Sequence, residues 1–286
     1  MDFLREFLAS FELFGAQYAA GWLAAAALAI AGVLVVAEHK IFLGAAAAQS
    51  SILGCAIALV LADVLHLAED HFVRGESFAT ALAIVFALLA TVVVSLGRET
   101  RVPRDVRSAL VFLAASSFAI LVVSKSPHGL EEVHRIVASS LLGATGADAA
   151  LFGVLLTAGI TASTRWRRPL LLIAMDPESA RACGLRVGLA RTLTALYTGI
   201  AVGGAIRCAG LLYAFGMLVL PACIAARLAG RSAVLFWLSP LLAVALAVPS
   251  FAVAHTWDLP PGQLTVAVLC VAFGVGRRRS AASGRR

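Results

Sequence analysis

Lysine is nearly missing from this chain of 286 residues: Lys40 and Lys125 are the only two, and neither lies in a G-x-x-x-x-G-K-[ST] pattern. A phosphate-cradling loop of that kind is therefore excluded, and any ATP that drives the protein binds another chain. Charge of either sign is scarce, at 14% of residues. The long apolar runs contain almost none of it, and Asp63, Asp148 and Arg207 all fall at their ends. Machines that move protons or gating charges keep carboxylates or Arg inside the bilayer. Their absence weakens that class, although backbone carbonyls can coordinate a coupling ion unaided. The five cysteines, Cys55, Cys183, Cys208, Cys223 and Cys270, show no C-x-x-C spacing, and four lie in or beside apolar runs, where Cys behaves as a small hydrophobe. The opening "MDFLREFLASFELFG" has no basic region of the kind that begins a secretory signal.

What the chain has in abundance is hydrophobicity, at 61% of residues with a mean hydropathy of +0.94. That composition belongs to an integral membrane protein. A helix needs about 20 apolar residues to cross the hydrocarbon layer. Nine segments qualify: 18–37, 41–62, 77–97, 108–124, 147–164, 189–206, 209–228, 233–254 and 261–276. The last is short, so the expected fold is an all-α bundle of eight or nine transmembrane helices. With the N-terminus outside, only Arg5, Arg74, Lys125, Arg135 and Arg207 of the 23 basic residues fall outside. The positive-inside bias supports that orientation. The net charge of +7 then reflects cytoplasmic loops beside an anionic leaflet and calls for no nucleic acid. Residues 1–17 carry Phe3, Leu4, Phe7, Leu8 and Phe11 at helical spacing, as an amphipathic outer segment or a plain anchor for the first span would. A basic cytoplasmic tail fills 277–286.

Inside the bundle, Gly199, Gly203, Gly204, Gly210 and Gly216 suit close helix packing. Pro221, Pro240 and Pro249 are expected to break or bend their helices, since proline removes a backbone donor. The stretch "LLLIAMDPESARACGLRVGLAR", 170–191, is the main polar interruption, and the topology puts it in the cytoplasm. Asp176 and Glu178 stand at its front, Pro177 suits a first helical turn, and Gly184 can supply a left-handed stop. These are the signals of a short, self-capped helix.

The residues here resemble a known family. "DPESARACGLRV" is similar to the D-P-E-x-A-R-x-x-G segment of the metal-type (ABC-3) permeases of bacterial ATP-binding-cassette importers. "GLLYAFGMLVLPACIAARLAG" resembles that family's G-x-L-L-x-x-x-L-L-x-x-P-A-A-x-A-R-L, and "WDLPPGQLTVAV" its D-x-P-P-G-x-x-I-V. The resemblance implies one permease domain over 1–286, of the type II importer kind, in the bacterial plasma membrane. Residues 176–187 would be a cytoplasmic coupling helix that docks on an ATPase dimer through Asp176, Pro177, Glu178, Ala180, Arg181, Gly184 and Arg186. It also implies a second permease copy or paralogue, an extracellular metal-binding protein, lipid around the bundle, and transport of zinc, manganese or iron(II). No cofactor would be bound and no covalent chemistry performed. The rivals are an ion-coupled secondary transporter and a non-transporting membrane scaffold.

One departure bears on substrate. The family's second span reads L-G-D-x-x-S-H-x-x-x-x-G, with Asp and His four apart on one helix face, a sound transient site for a divalent cation. This chain has "FLGAAAAQSSILG" at 42–54, which puts Ala45 and Gln49 at those positions. Gln49, Ser50 and Ser51 retain only neutral oxygens, and Pro221 is a further pathway candidate. Either a partner permease keeps the site, or the substrate differs or is a chelate, or the register is shifted. Outer-mouth candidates are His66, Glu69, Asp70 and His71, then Glu131, Glu132 and His134 with His128 near them, and His255 with Asp258. A solvated face or a docking surface explains the first two groups as well, and Asp258 suits a turn.

Overall fold

The computed structural model describes residues 2–64, 72–96, 104–124, 144–229 and 232–283. These form ten helices: α1 Asp2–Ala37, α2 Phe42–Val64, α3 Phe72–Leu96, α4 Arg104–Val123, α5 Gly146–Met175, α6 Pro177–Ala182, α7 Val187–Ala209, α8 Leu211–Leu228, α9 Ser232–Thr256 and α10 Pro261–Ser283. Among the described residues eight helical stretches are long and apolar enough to cross a membrane, and α10 contributes a shorter apolar piece, Pro261–Gly274. The all-α, eight-to-nine-span expectation holds. No break separates the expected outer segment 1–17 from the first span, since α1 begins at Asp2.

Two sub-bundles share the core. α1 packs on α5, α8 and α9, while α2 lies against α3 and α4, and α3 closes onto α7. Small residues make this possible. Ala20, Ala24, Ala27 and Ala31 of α1 are fully buried, as are Ala46, Ala47 and Ala48 of α2. Van der Waals contact at short range, rather than a hydrophobic drive, holds helices together in lipid. The glycines sit at the crossings as expected. A Cβ on Gly199 or Gly203 would strike Leu88 or Ile84 of α3, and one on Gly216 would strike Val266 of α10. Gly210 plays another part: at φ +83° it forms the joint between α7 and α8, a conformation only glycine adopts without strain.

Of the expected breaks or bends, no break occurs at the three prolines. α8 and α9 run on as helices through Pro221, Pro240 and Pro249. The non-helical residue lies in α5 instead, at Trp166 (φ −126°, ψ 16°), three positions before Pro169. Proline's ring collides with the carbonyl four residues back and leaves it without its donor, so the distortion falls in the preceding turn. Beyond that kink the helix resumes and runs to Met175, past the expected end of the fifth span at 164. It resumes because Leu171 and Ala174 bury against Ile30, Val33 and Leu34 of α1, Ala222 of α8 and Phe236 of α9.

Candidate coupling helix and pathway face

α6 is built from local backbone chemistry. The Asp176 carboxylate accepts the backbone N–H groups of Glu178 (3.2 Å) and Ser179 (3.0 Å), and the Ser179 hydroxyl also donates to it. Two of the donors that every helix start leaves orphaned are thereby satisfied, and Pro177, which has none to offer, takes the first turn. The Ser179 hydroxyl, ahead of the two backbone donors, holds the Asp176 carboxyl below its ordinary range. At the other end Gly184 sits at φ +76° and donates to the Arg181 carbonyl, and Leu185 N–H reaches back to Ala180 O at 3.0 Å. That pair of bonds is a Schellman stop.

The side chains of α6 divide into two sets. Ala180 is 0% exposed and packs with Ile173 of α5 and Val187 of α7, flanked by Leu172 and Leu185. It anchors the helix to its neighbours, so it drops out of the expected docking set. Asp176, Glu178, Arg181, Gly184 and Arg186 are exposed, and Pro177 is half-buried. Among the described residues no ion pair uses Glu178, Arg181 or Arg186. α6 and its flank thus form a charged knob on which Asp176 and Ser179 serve the cap while Glu178, Arg181 and Arg186 face outward.

On α2, Phe42, Ala45, Gln49, Leu53, Ile57 and Val60 form one accessible stripe, with Gln49 its only polar member. The opposite side is packed: a Cβ on Gly44 would meet Leu218 and Phe215 of α8, and one on Gly54 the backbone at Leu82 of α3. Ser50 and Ser51 turn into that packed side and are buried, as is Pro221. These three expected pathway residues therefore lie off the accessible wall. Helical residues advance about 100° each, and Ser50 and Ser51 follow Gln49 around the helix away from the stripe.

Of the outer-mouth residues, His66, Glu69, Asp70, His71, Glu131, Glu132 and His134 lie outside the described residues. His255 is exposed, with Nδ1 3.3 Å from the Tyr18 hydroxyl. Asp258 has φ +51° and precedes Leu259, whose N–H bonds Ala254 O, so it serves as the turn residue that ends α9. Among the described residues no three His, Cys, Asp or Glu side chains gather where they could hold a metal ion.

A sequence model of the ABC 3 transport family matches residues 10–276. The chain belongs to the ABC 3 transport family. This ABC 3 protein is 24% identical over 270 residues to the "Probable metal transport system membrane protein" of Thermotoga maritima, covering 93% of this chain and 89% of that one. It is 27% identical over 234 residues to the manganese transport system membrane protein MntB of a Synechocystis strain, covering 78% and 76%. Its fold matches PsaBC from Streptococcus pneumoniae, solved in complex with Fab, with a TM-score of 0.76 at 16% identity, over 96% of this chain and 95% of that one. The ABC 3 chain is thus a multi-pass membrane permease subunit of an ATP-binding-cassette importer. One feature of this permease is missing from the sequence reading, which left Asp148 and Arg207 as separate residues at span ends. Arg207 Nη2 lies 2.5 Å from both Asp148 oxygens and so ties the start of α5 to the end of α7. Their matched positions at two adjacent outer ends were the available signal.

Proposed function

We propose that this chain is one of two permease subunits of an importer for a divalent transition metal, with manganese, zinc and iron(II) the candidates. A metal-binding protein outside the cell delivers the substrate, and a separate ATPase dimer grips α6 from the cytoplasm. The supporting observation is α6 itself: a self-capped helix anchored through Ala180, with its charged side chains unspent. A rigid knob joined directly to two spans transmits a push as a body, because packed elements shift between discrete arrangements rather than deform smoothly. Closure of the ATPase dimer would tilt α5 and α7, and alternating access follows from their movement against α1 and α3. Manganese is favoured by the similarity to manganese transport system membrane proteins such as MntB.

The pathway chemistry favours a mixed pair. A borderline cation needs a carboxylate or imidazole along its route, and the accessible stripe of α2 offers only the Gln49 amide. A second, different permease subunit would bring those ligands to the shared conduit.

Co-expression with the candidate ATPase tests the coupling reading: the two should co-purify, and Arg181→Glu should remove the ATPase. A cysteine at Glu178 must label from the cytoplasm; labelling from outside would end this reading and restore the secondary-transporter or scaffold alternatives. Elemental analysis of cells lacking the gene, grown under zinc and then manganese limitation, tests the substrate.

A further inference from the structure

A cavity of about 570 Å³ lies beside the α5 kink, between α1, α5, α7 and Phe236 of α9. Ile30, Leu34, Ala162, Leu170, Leu189 and Leu193 typify its apolar wall. The hydroxyls in that wall are spent on backbone carbonyls: Ser163 on Gly159, Thr194 on Ala190 and Tyr197 on Ala27. Apart from Arg186 and the Trp166 indole at one end, what remains facing the space is hydrocarbon, which disfavours water, because a buried water needs two to four polar partners. The size falls within the roughly 300–1,000 Å³ of sites that hold a discrete ligand.

The rim points to the kind of ligand. Trp166, Leu189 and Leu193 are each more than half exposed, so the chamber opens where apolar and aromatic groups meet the surroundings. Arg186 is the one charged residue in the lining, and Arg165 and Arg168, both exposed, lie outside the lining within two residues of Trp166. An apolar chamber with cationic guanidinium groups and an indole at one end complements a molecule with an acyl chain and an anionic head. We propose that this cavity binds an anionic phospholipid of the membrane, its chain between α1, α5 and α7 and its phosphate on Arg186 and the Arg165–Arg168 turn. The bound lipid would fill the space behind the kink, next to the joint from which α6 emerges. The proposal rests on the cavity and its rim; Arg186 is shared with the surface assigned to the ATPase, so the lipid is tested on the chain alone.

The test uses the full chain, without ATPase, in phosphatidylcholine vesicles doped with brominated phosphatidylglycerol or brominated phosphatidylcholine. The four tryptophans are resolved by subtracting the quenching seen in Trp166→Phe. Brominated phosphatidylglycerol should quench the Trp166 component about fivefold more strongly than the choline lipid at equal mole fraction, the preference one basic side chain near a headgroup provides. Arg186→Gln should erase most of that preference and leave choline-lipid quenching unchanged. Filling the chamber with Ala162→Phe should reduce quenching by both lipids. Equal quenching by the two lipids in the wild type would overturn the proposal, as would a Trp166 component that neither lipid quenches, the result expected if a second copy of the chain covers the opening.

Discussion

α5 and α7 are held together at both ends, by opposite means. At the outer end a side-chain clamp joins them: Asp148, 6% exposed, faces Arg207, and Thr145 adds its backbone N–H and hydroxyl to the same carboxylate. At the inner end the link is α6, whose order comes from backbone capping and one buried alanine, with its charges left over. One end spends its charge internally and the other keeps it available. A pair of helices tied in this way has a fixed end and a working end. That difference can be tested by breaking each end in turn.

The largest effect is expected at the working end. Proline at 184 requires φ near −65° where the chain needs +76°, and it removes the N–H that bonds Arg181 O. Gly184→Pro should abolish ATPase co-purification while the bundle still inserts and elutes as a single species. Gly184→Ala, which pays only the left-handed penalty of about 1–2 kcal/mol, should weaken the association without abolishing it. If Gly184→Pro retains full association, the stop after α6 is irrelevant to coupling.

The fixed end should respond in stability instead. Removing one partner of a buried pair costs about 3–5 kcal/mol, and partial exposure of Arg207 reduces the expectation for Asp148→Asn to about 2–3 kcal/mol. Thermal unfolding in detergent should show a midpoint lowered by several degrees, with ATPase association intact. Asp148→Asn combined with Arg207→Gln should recover part of the loss, since no uncompensated guanidinium then remains. Loss of ATPase binding without loss of stability would reverse the roles of the two ends.

The inner end was also the more legible of the two in the sequence. Asp176, Pro177 and Gly184 act within a few residues of themselves, so their spacing alone specifies α6. Span number and position followed from apolar length, and the packing glycines from their size. What could not be read depended on distant partners. The helix runs on past 164, the end expected from apolarity, because Leu171 and Ala174 bury against α1, α8 and α9, and the charged "RWRRP" hides that continuation in the sequence. Asp148 and Arg207 are 59 residues apart. Ser50 and Ser51 were placed on the pathway because one sequence gives a helix's period but not which way its faces point.

The α2 stripe provides a milder contrast, between a wall that packs and a wall that could conduct. Ala45→Asp with Gln49→His places a carboxylate and an imidazole at i and i+4 on the accessible side. Zinc or manganese retention by the purified protein should rise at least about tenfold, or about 1.4 kcal/mol. The control pair Ser51→Asp with Cys55→His has the same spacing on the packed side and should lower stability without gaining metal. Equal retention by both pairs would mean that accessibility along α2 does not decide metal access.

The smallest effect concerns the cap of α6 and its response to pH. Asp176 has its pKa lowered on folding by the Ser179 hydroxyl and by the backbone N–H groups of Ser179 and Glu178. A carboxylate shifted down contributes stability that is fully present above its unfolded pKa, about 3.9 for Asp, and is lost as pH falls through the lower folded value. From pH 8 to pH 5 the carboxylate stays ionised in both states. Asp176→Ala should therefore weaken ATPase association severalfold by the same factor across that whole range. Ser179→Ala removes the largest contributor to the shift and should reproduce part of the loss, again independently of pH. A mutant-to-wild-type ratio that drifts between pH 8 and 5 would mean that another titrating group, and not the Asp176 cap, sets the strength of the working end.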